Sequence, residues 1–451
     1  MPVNGTPTPP LVGGNSVREP ILQSYVFQSG IHAPEVSSIL TYKFPQYYLT
    51  SLLDRLNAEE TIEQDVWSWF VMDRTRSGSA VNGAVVTGGG TGVTTATIET
   101  GYAWTATNGG YLIVGDTIRL ESGQIARVTA TRQGTVVNTV QQVDLVSQSG
   151  ANWAVAIATG DTFGHLASAF GEASSAPDGR LYLPTEEYNC IQRIRRSFSI
   201  SGSEFTNKTY INGGEAWYFE KEDIEMKELA RDKEAAIMFG VRNTAEPKST
   251  KGLWEFAIDD GINNGFAAAT GVTETDIQDH MKDLLIQNVS NDIYALTGAQ
   301  FFADAQRALR DYQVEDGKLG PKMAGLDFQS YKFMGKTVHF AYYEMFDDPE
   351  VLPAPQGGAA TASKVDFSNA SLWLDMGAEN NGKSLITLKY KSNGGNNRKF
   401  IHAYEVGMMN PNGENGGLVS SGDDSFKIHY MIECGLEVRL PNRLGILRAT
   451  S

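Results

Sequence analysis

The residues with the most chemically suggestive spacing form a short stretch that matches a phosphate-binding loop. Residues 377–384 read GAENNGKS, which fits GxxxxGKS letter for letter, and Lys383 stands where such a loop places its phosphate-binding lysine. A working loop must also open a helix, because the helix N-terminus completes the anion site. The next residues, LITLKY, alternate as a strand does. The stretch therefore predicts a hairpin turn at Asn380-Asn381-Gly382.

Neither the histidines nor the cysteines are spaced as ligands or nucleophiles. The sequence contains no HExxH and no GxSxG pattern, and Cys190 and Cys434 lie far apart without a CxxC. Residues 259–264, DDGINN, lack the ligand spacing of a calcium loop and read as an acidic turn. We therefore expect no enzyme, no cofactor and no metal site, with both thiols free in a reducing compartment.

The composition argues against several classes of protein. The chain has 451 residues, and its 37 basic and 53 acidic side chains give a formal charge of −16. Since phosphate binding is dominated by Lys and Arg, a chain with this excess of acidic side chains is not expected to bind nucleic acid tightly. No run approaches the roughly 20 apolar residues of a membrane span, and the first residues do not read as a signal peptide. These features predict a soluble protein that is not secreted through a signal peptide.

The longest element that the sequence predicts is a helix over residues 213–240. Apolar residues, Met226 among them, recur there at three-, four- and seven-residue spacing, and charged residues fill the other face. Asp223 and Lys227 form an acid-before-base pair at i,i+4, and Gly240 is placed to end the helix. At about 1.5 Å per residue the helix would reach roughly 35 to 40 Å, which is typical of a spine.

A β-rich segment over residues 76–180 differs from the rest of the chain. Residues 81–170 contain three Arg, no Lys and five acidic residues, against fourteen Gly, fifteen Thr and twelve Val. Short strands separated by glycine turns predict a small barrel or sandwich, with glycine-rich low complexity as the alternative. Residues 62–72 and 190–201 read as the two sides of a long hairpin that carries this segment at its tip. The strand candidates are 81–86, 93–98, 111–114, 117–120, 125–131, 135–140, 143–146 and 153–158.

The predicted hairpin carries the candidate contact residues of the chain. Arg193, Arg195 and Arg196 are its tightest basic cluster. They form either a solvated surface or a contact with an acidic surface of a neighbouring molecule. Trp67 and Trp69 on the outgoing strand are further candidates for such a contact.

The remaining sequence predicts an α+β fold. A short amphipathic helix over residues 44–56 precedes the hairpin. Thr273 and Asp276 have the spacing of a capping box before an apolar-periodic helix. A strand, a helix and six further strand segments are predicted to follow. In order, these are strand 292–297, helix 299–312, and strands 330–334, 337–345, 370–376, 385–391, 400–407 and 426–439, the last running on towards 448.

The order of these parts resembles the major capsid protein of tailed bacteriophages, the family with the HK97-type fold. The likeness is carried by architecture and by stretches such as NDIYALTGAQFFADAQRAL and the final GLEVRLPNRLGILRAT. The β-rich segment is absent from the minimal family fold. Its stretch VGDTIRLESGQIARVTAT is similar to the sequences of small β-domains inserted in the extended loop of some capsid proteins. The resemblance implies an N-terminal arm (1–50), an extended loop (51–75 and 181–212), a β-rich insertion domain (76–180), a peripheral domain with the spine helix (213–250 and 425–451) and an axial domain (251–424).

The resemblance implies a structural role. Such a protein self-assembles into hexamers and pentamers and closes an icosahedral shell around packaged double-stranded DNA, without sequence-specific binding. The implied partners are further copies of itself, a portal protein, a scaffold protein and decoration or auxiliary proteins, with no membrane. The implied location is the virion, and the host cytoplasm during assembly. The family's isopeptide cross-link cannot be transferred to this loop, because residues 44–207 contain no lysine.

Three other functions stay open at this point. A protein-shell nanocompartment would share the fold and enclose enzymes. A nucleotide-dependent enzyme would require residues 377–384 to be a true phosphate-binding loop. A tail or surface binding module would form trimers in place of shells.

Overall fold

The computed structural model describes most of the chain, in two compact units. The described residues are 58–72, 79–82, 87–105, 109–135, 140–172, 184–206, 217–309, 329–352, 365–377, 383–393, 395–408 and 422–450, with Leu49, Leu53 and Pro177. One unit comprises Met1–Trp67 and Asn189–Ser451, and the other comprises Ser68–Tyr188. The predicted N-terminal arm, apart from Leu49, lies outside the described residues.

Strands dominate the described residues. Numbered in chain order, they are β1 (Glu59–Ile62), β2 (Val66–Val71), β3 (Ser79–Ala80), β4 (Thr87–Gly88), β5 (Thr95–Thr100), β6 (Trp104–Thr105), β7 (Gly109–Gly110), β8 (Asp116–Leu120), β9 (Ile125–Gln133), β10 (Gln141–Ser147), β11 (Thr162–Ser168), β12 (Thr185–Cys190), β13 (Gln192–Ser201), β14 (Ile262–Ala267), β15 (Asp292–Thr297), β16 (Gln329–Phe333), β17 (Lys336–Tyr342), β18 (Ala370–Asp375), β19 (Ile386–Asn393), β20 (Asn396–Asn397), β21 (Ile401–Val406), β22 (Ser425–Val438) and β23 (Gly445–Thr450). The helices are α1 (Gly202–Thr206), α2 (Trp217–Phe239), α3 (Leu253–Asp260), α4 (Glu274–Ile286) and α5 (Ala299–Ala308), and single 3-10 turns cover Glu344–Asp347, Phe367–Asn369 and Pro441–Arg443.

The unit Ser68–Tyr188 contains an antiparallel sheet of seven strands in the order β3-β11-β8-β9-β10-β5-β4. An isolated bridge between Val81 and Thr100 joins the chain after β3 to the end of β5, and it curls the sheet towards a barrel. Alternate side chains point inward, so that Ile98, Ile118 and Val143 are buried in one apolar core. The intervening side chains form the outward face of the unit.

The other unit contains two sheets of six strands each. The first has the order β1-β19-β22-β13, with β20 on β19 and β21 on β22. Its central strand β22 pairs with β13 on one side, and on the other side with β19 along its C-terminal half and with β21 along its N-terminal half. Helix α2 lies on one face of this sheet, where Glu222 accepts a hydrogen bond from the Tyr430 hydroxyl at 3.2 Å.

The second sheet has the order β14-β23-β18-β15-β17-β16 and mixes parallel and antiparallel pairs. Helices α4 and α5 bury their apolar sides against it through Met281 and Phe301. The ring of His280 on α4 is fully buried and lies edge-on to Trp373, with ring centroids 4.9 Å apart.

Predictions that rest on local spacing are confirmed. The spine helix is α2, and its predicted pair joins Lys227 to Asp223. The capping box is present, since Thr273 and Asp276 exchange side-chain and backbone hydrogen bonds at the start of α4. Strand β15 covers the predicted residues 292–297. Each of these patterns is set within about four residues, where one turn or one strand decides the outcome.

The prediction that the strands on either side of Asn380-Asn381-Gly382 form a hairpin is wrong. Strand β18 before it belongs to the second sheet and β19 after it belongs to the first, so the two strands do not pair. Residues 378–382 lie outside the described part. Lys383 forms an ion pair with Glu60 at 3.1 Å, and a strand follows where a phosphate-binding loop needs a helix.

The predicted hairpin arm needs a correction. Strand β2 does pair with a return strand, but that strand is β12, while β13 pairs with β22 along its whole length. The outgoing side was predicted as one strand over residues 62–72. It consists of two strands, because the chain bends at residues 63–65 between β1 and β2. Strand β1 runs parallel to β19 in the first sheet of the larger unit. Pairing partners hundreds of residues away decided these outcomes, and local patterns do not contain them.

Several other elements differ from the prediction. Residues 153–158 are not a strand, although Trp153 is buried, and β11 was not predicted. Helix α3 and strand β14 occupy the region that the sequence suggested was an acidic turn. There Asp259 pairs with the buried Lys251 at 2.7 Å. On α2, Met226 is exposed although it was expected on the apolar face.

The sheets group the chain differently from the expected peripheral and axial segments. Strands β19, β20 and β21, expected in the axial segment 251–424, pair in the sheet of β22. Strand β23, expected in the peripheral segment 425–451, lies inside the second sheet between β14 and β18. The chain passes from the second sheet to the first after β18 and returns to the second sheet after β22. The local sequence composition does not indicate either change.

Candidate assembly site

Strand β13 presents its arginines to two different environments. Successive side chains of a strand point to opposite faces, so Arg193 and Arg195 lie on one face and Arg196 on the other. The face of Arg196 is covered by helix α2, whose carboxylates it contacts. We call the opposite face the outer sheet face and define it by Arg193, Arg195 and their neighbours Met431 and Glu433 on β22.

Arg196 is held within its own chain. Its guanidinium meets Asp232 at 2.7 Å, Glu228 at 3.3 Å and Glu225 at 3.4 Å, all on α2. The hydrogen bond to Asp232 is the main reason that the pKa of Arg196 lies above its ordinary value. Arg196 therefore ties β13 to the spine helix, and contact with another molecule is not needed to explain it.

A buried carboxylate organises the outer sheet face. Glu433 is fully buried and accepts hydrogen bonds from Arg193 on β13 and from Arg398 after β20, at 2.6 Å for the latter. Burial alone would raise the pKa of Glu433, but the hydrogen bonds from Arg398 and Arg193 outweigh it, so the pKa lies below its ordinary value. Arg195 is exposed, and its Nε donates to the Met431 sulfur at 3.2 Å.

A second buried carboxylate, Glu437, fixes Trp67. It accepts from the Trp67 indole at 3.1 Å and from Arg439 at 2.8 Å, and it pairs with Lys389 at 3.0 Å. The Trp67 ring lies over Gly435, where an added methyl group would overlap it. Trp67 is therefore engaged within its own chain.

Strand β2 exposes one face and covers the other. Trp67 and Trp69 lie on the covered face, and Trp69 is buried. Val66, Phe70 and Met72 lie on the other face, where Phe70 is 68% exposed and Met72 is 52% exposed. A contact of the two tryptophans with another molecule stays a prediction, but the more available apolar surface belongs to their neighbours. The sequence showed the alternation in VWSWFVM without showing which face is open.

One side-chain arrangement approaches a hydrolytic triad that the sequence did not suggest. The Ser330 hydroxyl lies 2.8 Å from His339 Nδ1, and an Asp292 oxygen lies 3.5 Å from Nε2. This order is the reverse of a triad, in which the acid orients Nδ1 and the serine meets Nε2. Asp292 is also largely exposed, so water competes for it. We interpret the group as structural hydrogen bonding that joins β15, β16 and β17.

Neither a metal cluster nor a membrane helix is present in the part of the chain that the structure describes. No group of three or more His, Cys, Asp or Glu side chains there is placed to hold a metal ion. No described helix is long and apolar enough to cross a membrane.

A family model, the SU10 major capsid protein, matches residues 30–370, well over half of the chain. The chain belongs to the SU10 major capsid protein family. It is therefore a capsid protein that forms the shell of a bacteriophage, a structural component of the virion. A comparison with curated proteins finds no match.

Solved capsids resemble this capsid protein along most of its length. The capsid of a native GTA particle is 10% identical, covers 96% of this chain and 100% of its own, and has a TM-score of 0.43. A chain from Mycobacterium phage Adephagia is 8% identical with coverages of 95% and 98% and a TM-score of 0.42. The holo-SrpI encapsulin complex from Synechococcus elongatus PCC 7942 is 14% identical with coverages of 59% and 75% and a TM-score of 0.34. The assignment to the family rests on the family model.

Proposed function

We propose that this capsid protein forms the hexamers and pentamers of an icosahedral shell around the double-stranded DNA genome of a tailed bacteriophage, in the HK97-type arrangement. In this proposal, segments 51–75 and 181–212 act as the extended loop, and Ser68–Tyr188 is the core of an inserted β-domain. Assembly takes place in the host cytoplasm with portal, scaffold and decoration proteins. The DNA is enclosed without sequence-specific binding, in keeping with the charge of −16.

The observation that carries the proposal is the open apolar face of β2. A two-stranded ribbon cannot bury both of its faces, and Val66, Phe70 and Met72 share the exposed one. Full burial of such a side chain contributes about 1.5 to 3 kcal/mol. Contact with a neighbouring subunit supplies that burial, and in a closed shell every copy both gives and receives the contact.

Charge supports the same contact. Arg193 and Arg195 are both exposed on the outer sheet face, but Arg193 is paired with Glu433, and Glu186 on β12 is an exposed acid of the ribbon. We propose that the ribbon of one subunit lies against the outer sheet face of a neighbour, so that Glu186 approaches Arg195. An exposed pair of this kind adds about 1 kcal/mol or less, so it selects the register while the apolar residues provide most of the affinity.

Negative-stain microscopy of the purified protein tests the proposal. We expect closed shells, tubes or six-fold capsomers from the wild type. Phe70→Asp should leave folded, unassembled chains, because it places a charge in the contact. Val241→Asp is the matched control, since Val241 is 61% exposed outside the proposed contact and its variant should assemble. Monomers or trimers of the wild type under all conditions would contradict the proposal, and so would normal assembly of Phe70→Asp.

A further inference from the structure

The three arginines of residues 81–170 all lie on the outward face of the smaller unit, but they are not equivalent. Arg132 donates to both carboxylate oxygens of Asp144, at 2.6 and 2.8 Å, and to Gln142. Arg119 and Arg127 have no carboxylate partner among the described residues. Within the described part of this acidic protein, two neighbouring positive charges therefore have no ion-pair partner.

The two arginines are close to each other and to exposed apolar side chains. Arg119 on β8 pairs in register with Ile125 on β9, and Arg127 on β9 pairs with Thr117 on β8. The arginines are therefore diagonal neighbours, within about 8 Å at their Cβ atoms. Ile125 is 42% exposed beside them.

Strand β11 extends this surface on the other side of β8. Gly164 pairs in register with Arg119, and an added Cβ at Gly164 would meet nothing within 4 Å, so the face is open there. The register shifts between His165 and Ala167, and Leu166 in this bulge is 42% exposed. Bulges re-aim side chains, and this one presents an aliphatic group beside the two charges. We call the surface formed by Arg119, Ile125, Arg127, Gly164 and Leu166 the outer barrel face.

We propose that the outer barrel face docks onto an acidic surface of a second copy of this chain in the shell. Outside residues 81–170, which hold five acidic and three basic residues, the chain keeps 48 of its 53 acidic and 34 of its 37 basic side chains. Each copy therefore offers acidic side chains with which Arg119 and Arg127 can form ion pairs. This inference rests on the shell-forming function proposed above, since a shell holds copies at high effective concentration.

Duplex DNA fits the outer barrel face less well. Binding to a phosphate backbone needs many basic groups along its length, and this face has two, flanked by aliphatic side chains. Arginine beside exposed apolar side chains is the composition of a protein-recognition surface. A decoration protein would be a different occupant, and the experiment separates it from a second copy.

Zero-length carbodiimide cross-linking of assembled shells tests the inference. The variant R119K/R127K keeps both charges and supplies amines that the reagent joins to contacting carboxylates. Shells are assembled from an equal mixture of unlabelled and isotope-labelled chains, so that mixed-label peptides report links between copies. The matched control is R132K, whose new amine lies beside Asp144 of its own chain.

We expect mixed-label links from positions 119 and 127, and links within single chains from position 132. Links from 119 and 127 that stay within single chains, or none at all, in well-formed shells would overturn the inference and leave the proposed function standing. In shells coexpressed with the other virion proteins, links from these positions to a different protein would also overturn it, and so would loss of the links between copies when duplex DNA is added. Failure of wild-type chains to form shells would remove both proposals.

A charge reversal gives an independent measurement. R119E/R127E should fold, because both side chains are outside the core. At low salt its shells should dissociate at a several-fold higher protein concentration than wild-type shells, because the acidic surfaces repel each other and little salt screens them. Wild-type dissociation behaviour of this double variant would contradict the inference.

Discussion

His280 is a neutral side chain whose burial makes the fold sensitive to acid. It is fully buried on α4 against Trp373, and burial lowers its pKa from the ordinary 6.5 to about 3. Between these two values the unfolded chain binds a proton that the folded chain does not. His280 therefore reduces the free energy of unfolding as the pH falls from about 6.5 to about 3, by up to about 1.4 kcal/mol per pH unit.

His280→Leu is expected to weaken this pH dependence. The leucine cannot take up a proton, so the loss of stability between pH 6 and pH 4 should be smaller than in the wild type. Urea unfolding of unassembled chains at several pH values measures the difference, in which the other titrating groups cancel. Identical profiles for wild type and His280→Leu would contradict the argument.

Glu433 shows the opposite pH behaviour. Its folded pKa lies below the ordinary value of 4.5, so its stabilisation is present above about pH 4.5 and is lost as the pH falls through the folded pKa. Glu433→Gln should lower the free energy of unfolding at pH 7 by about 2 kcal/mol, because Arg193 and Arg398 lose a shared carboxylate. The deficit should shrink below pH 4. A constant deficit from pH 7 to pH 3 would be evidence against this role of the carboxylate.

Residue-level predictions from sequence succeeded where the partner is near in the chain. Thr273 and Asp276 lie three residues apart, and their capping box was predictable. Arg193 and Glu433 lie 240 residues apart, and nothing in the sequence near Arg193 identifies the acid that holds it. The sequence suggested Trp67 and Trp69 as contact residues, whereas the structure gives the open surface to Phe70 and Met72. Strand alternation divides side chains into two sets without identifying the exposed one.

At the scale of the element, β22 is the central strand of the first sheet and pairs with β13, β19 and β21. Its neighbours change along its length, from β13 and β21 to β13 and β19, and Gly435 lies where Trp67 crosses it. A Cβ at Gly435 would also lie 2.9 Å from the backbone oxygen of Cys190. Since backbone cannot rotate away as a side chain can, the strand requires glycine here.

Gly435→Ala should therefore destabilise the chain by about 1 to 3 kcal/mol. Gly164→Ala is the matched control, because Gly164 is also in a strand and its added methyl group would meet nothing within 4 Å. The control should change the stability by less than about 1 kcal/mol, in either direction. Thermal unfolding of both variants measures the contrast, and equal shifts in melting temperature would show that the crowding at Gly435 is relieved.

Elements with a strong local period were predictable and elements defined by pairing were not. Helix α2 and strand β15 follow from spacing alone. The strand after residues 377–384 was predictable from its alternation, yet the predicted hairpin was wrong because β18 and β19 enter different sheets. Sheet membership is a long-range property, and one sequence without pairing information leaves it undetermined.

At the scale of the whole molecule, two adjacent arginines of β13 are expected to have different roles. One stabilises the fold, and the other contributes to assembly. Arg196 contacts three carboxylates of α2, whereas Arg195 lies on the outer sheet face proposed to meet another subunit. Arg196→Glu should lower the free energy of unfolding by about 3 kcal/mol or more, because four acidic groups then share one site. Arg195→Glu should change the stability by less than about 0.5 kcal/mol and reduce shell yield several-fold.

The comparison uses unfolding of unassembled chains for stability and sedimentation for shell yield. A double variant that reverses both charges, Arg195→Glu with Glu186→Arg, should recover part of the yield if these residues meet across subunits. Loss of yield in proportion to lost stability in both single variants would contradict the separation. Full yield from Arg195→Glu would remove the outer sheet face from the proposed contact.

The position of β23 has a consequence for synthesis on the ribosome. This strand, Gly445–Thr450, lies between β14 and β18, so the second sheet cannot be completed while those six residues are still untranslated. Strands β14 to β18 emerge earlier. Until β23 is made, β14 and β18 lack the strand that pairs with both of them. A nascent chain therefore cannot offer a finished capsid surface to its neighbours on the same messenger RNA. Subunits with a complete second sheet therefore exist only after β23 has emerged.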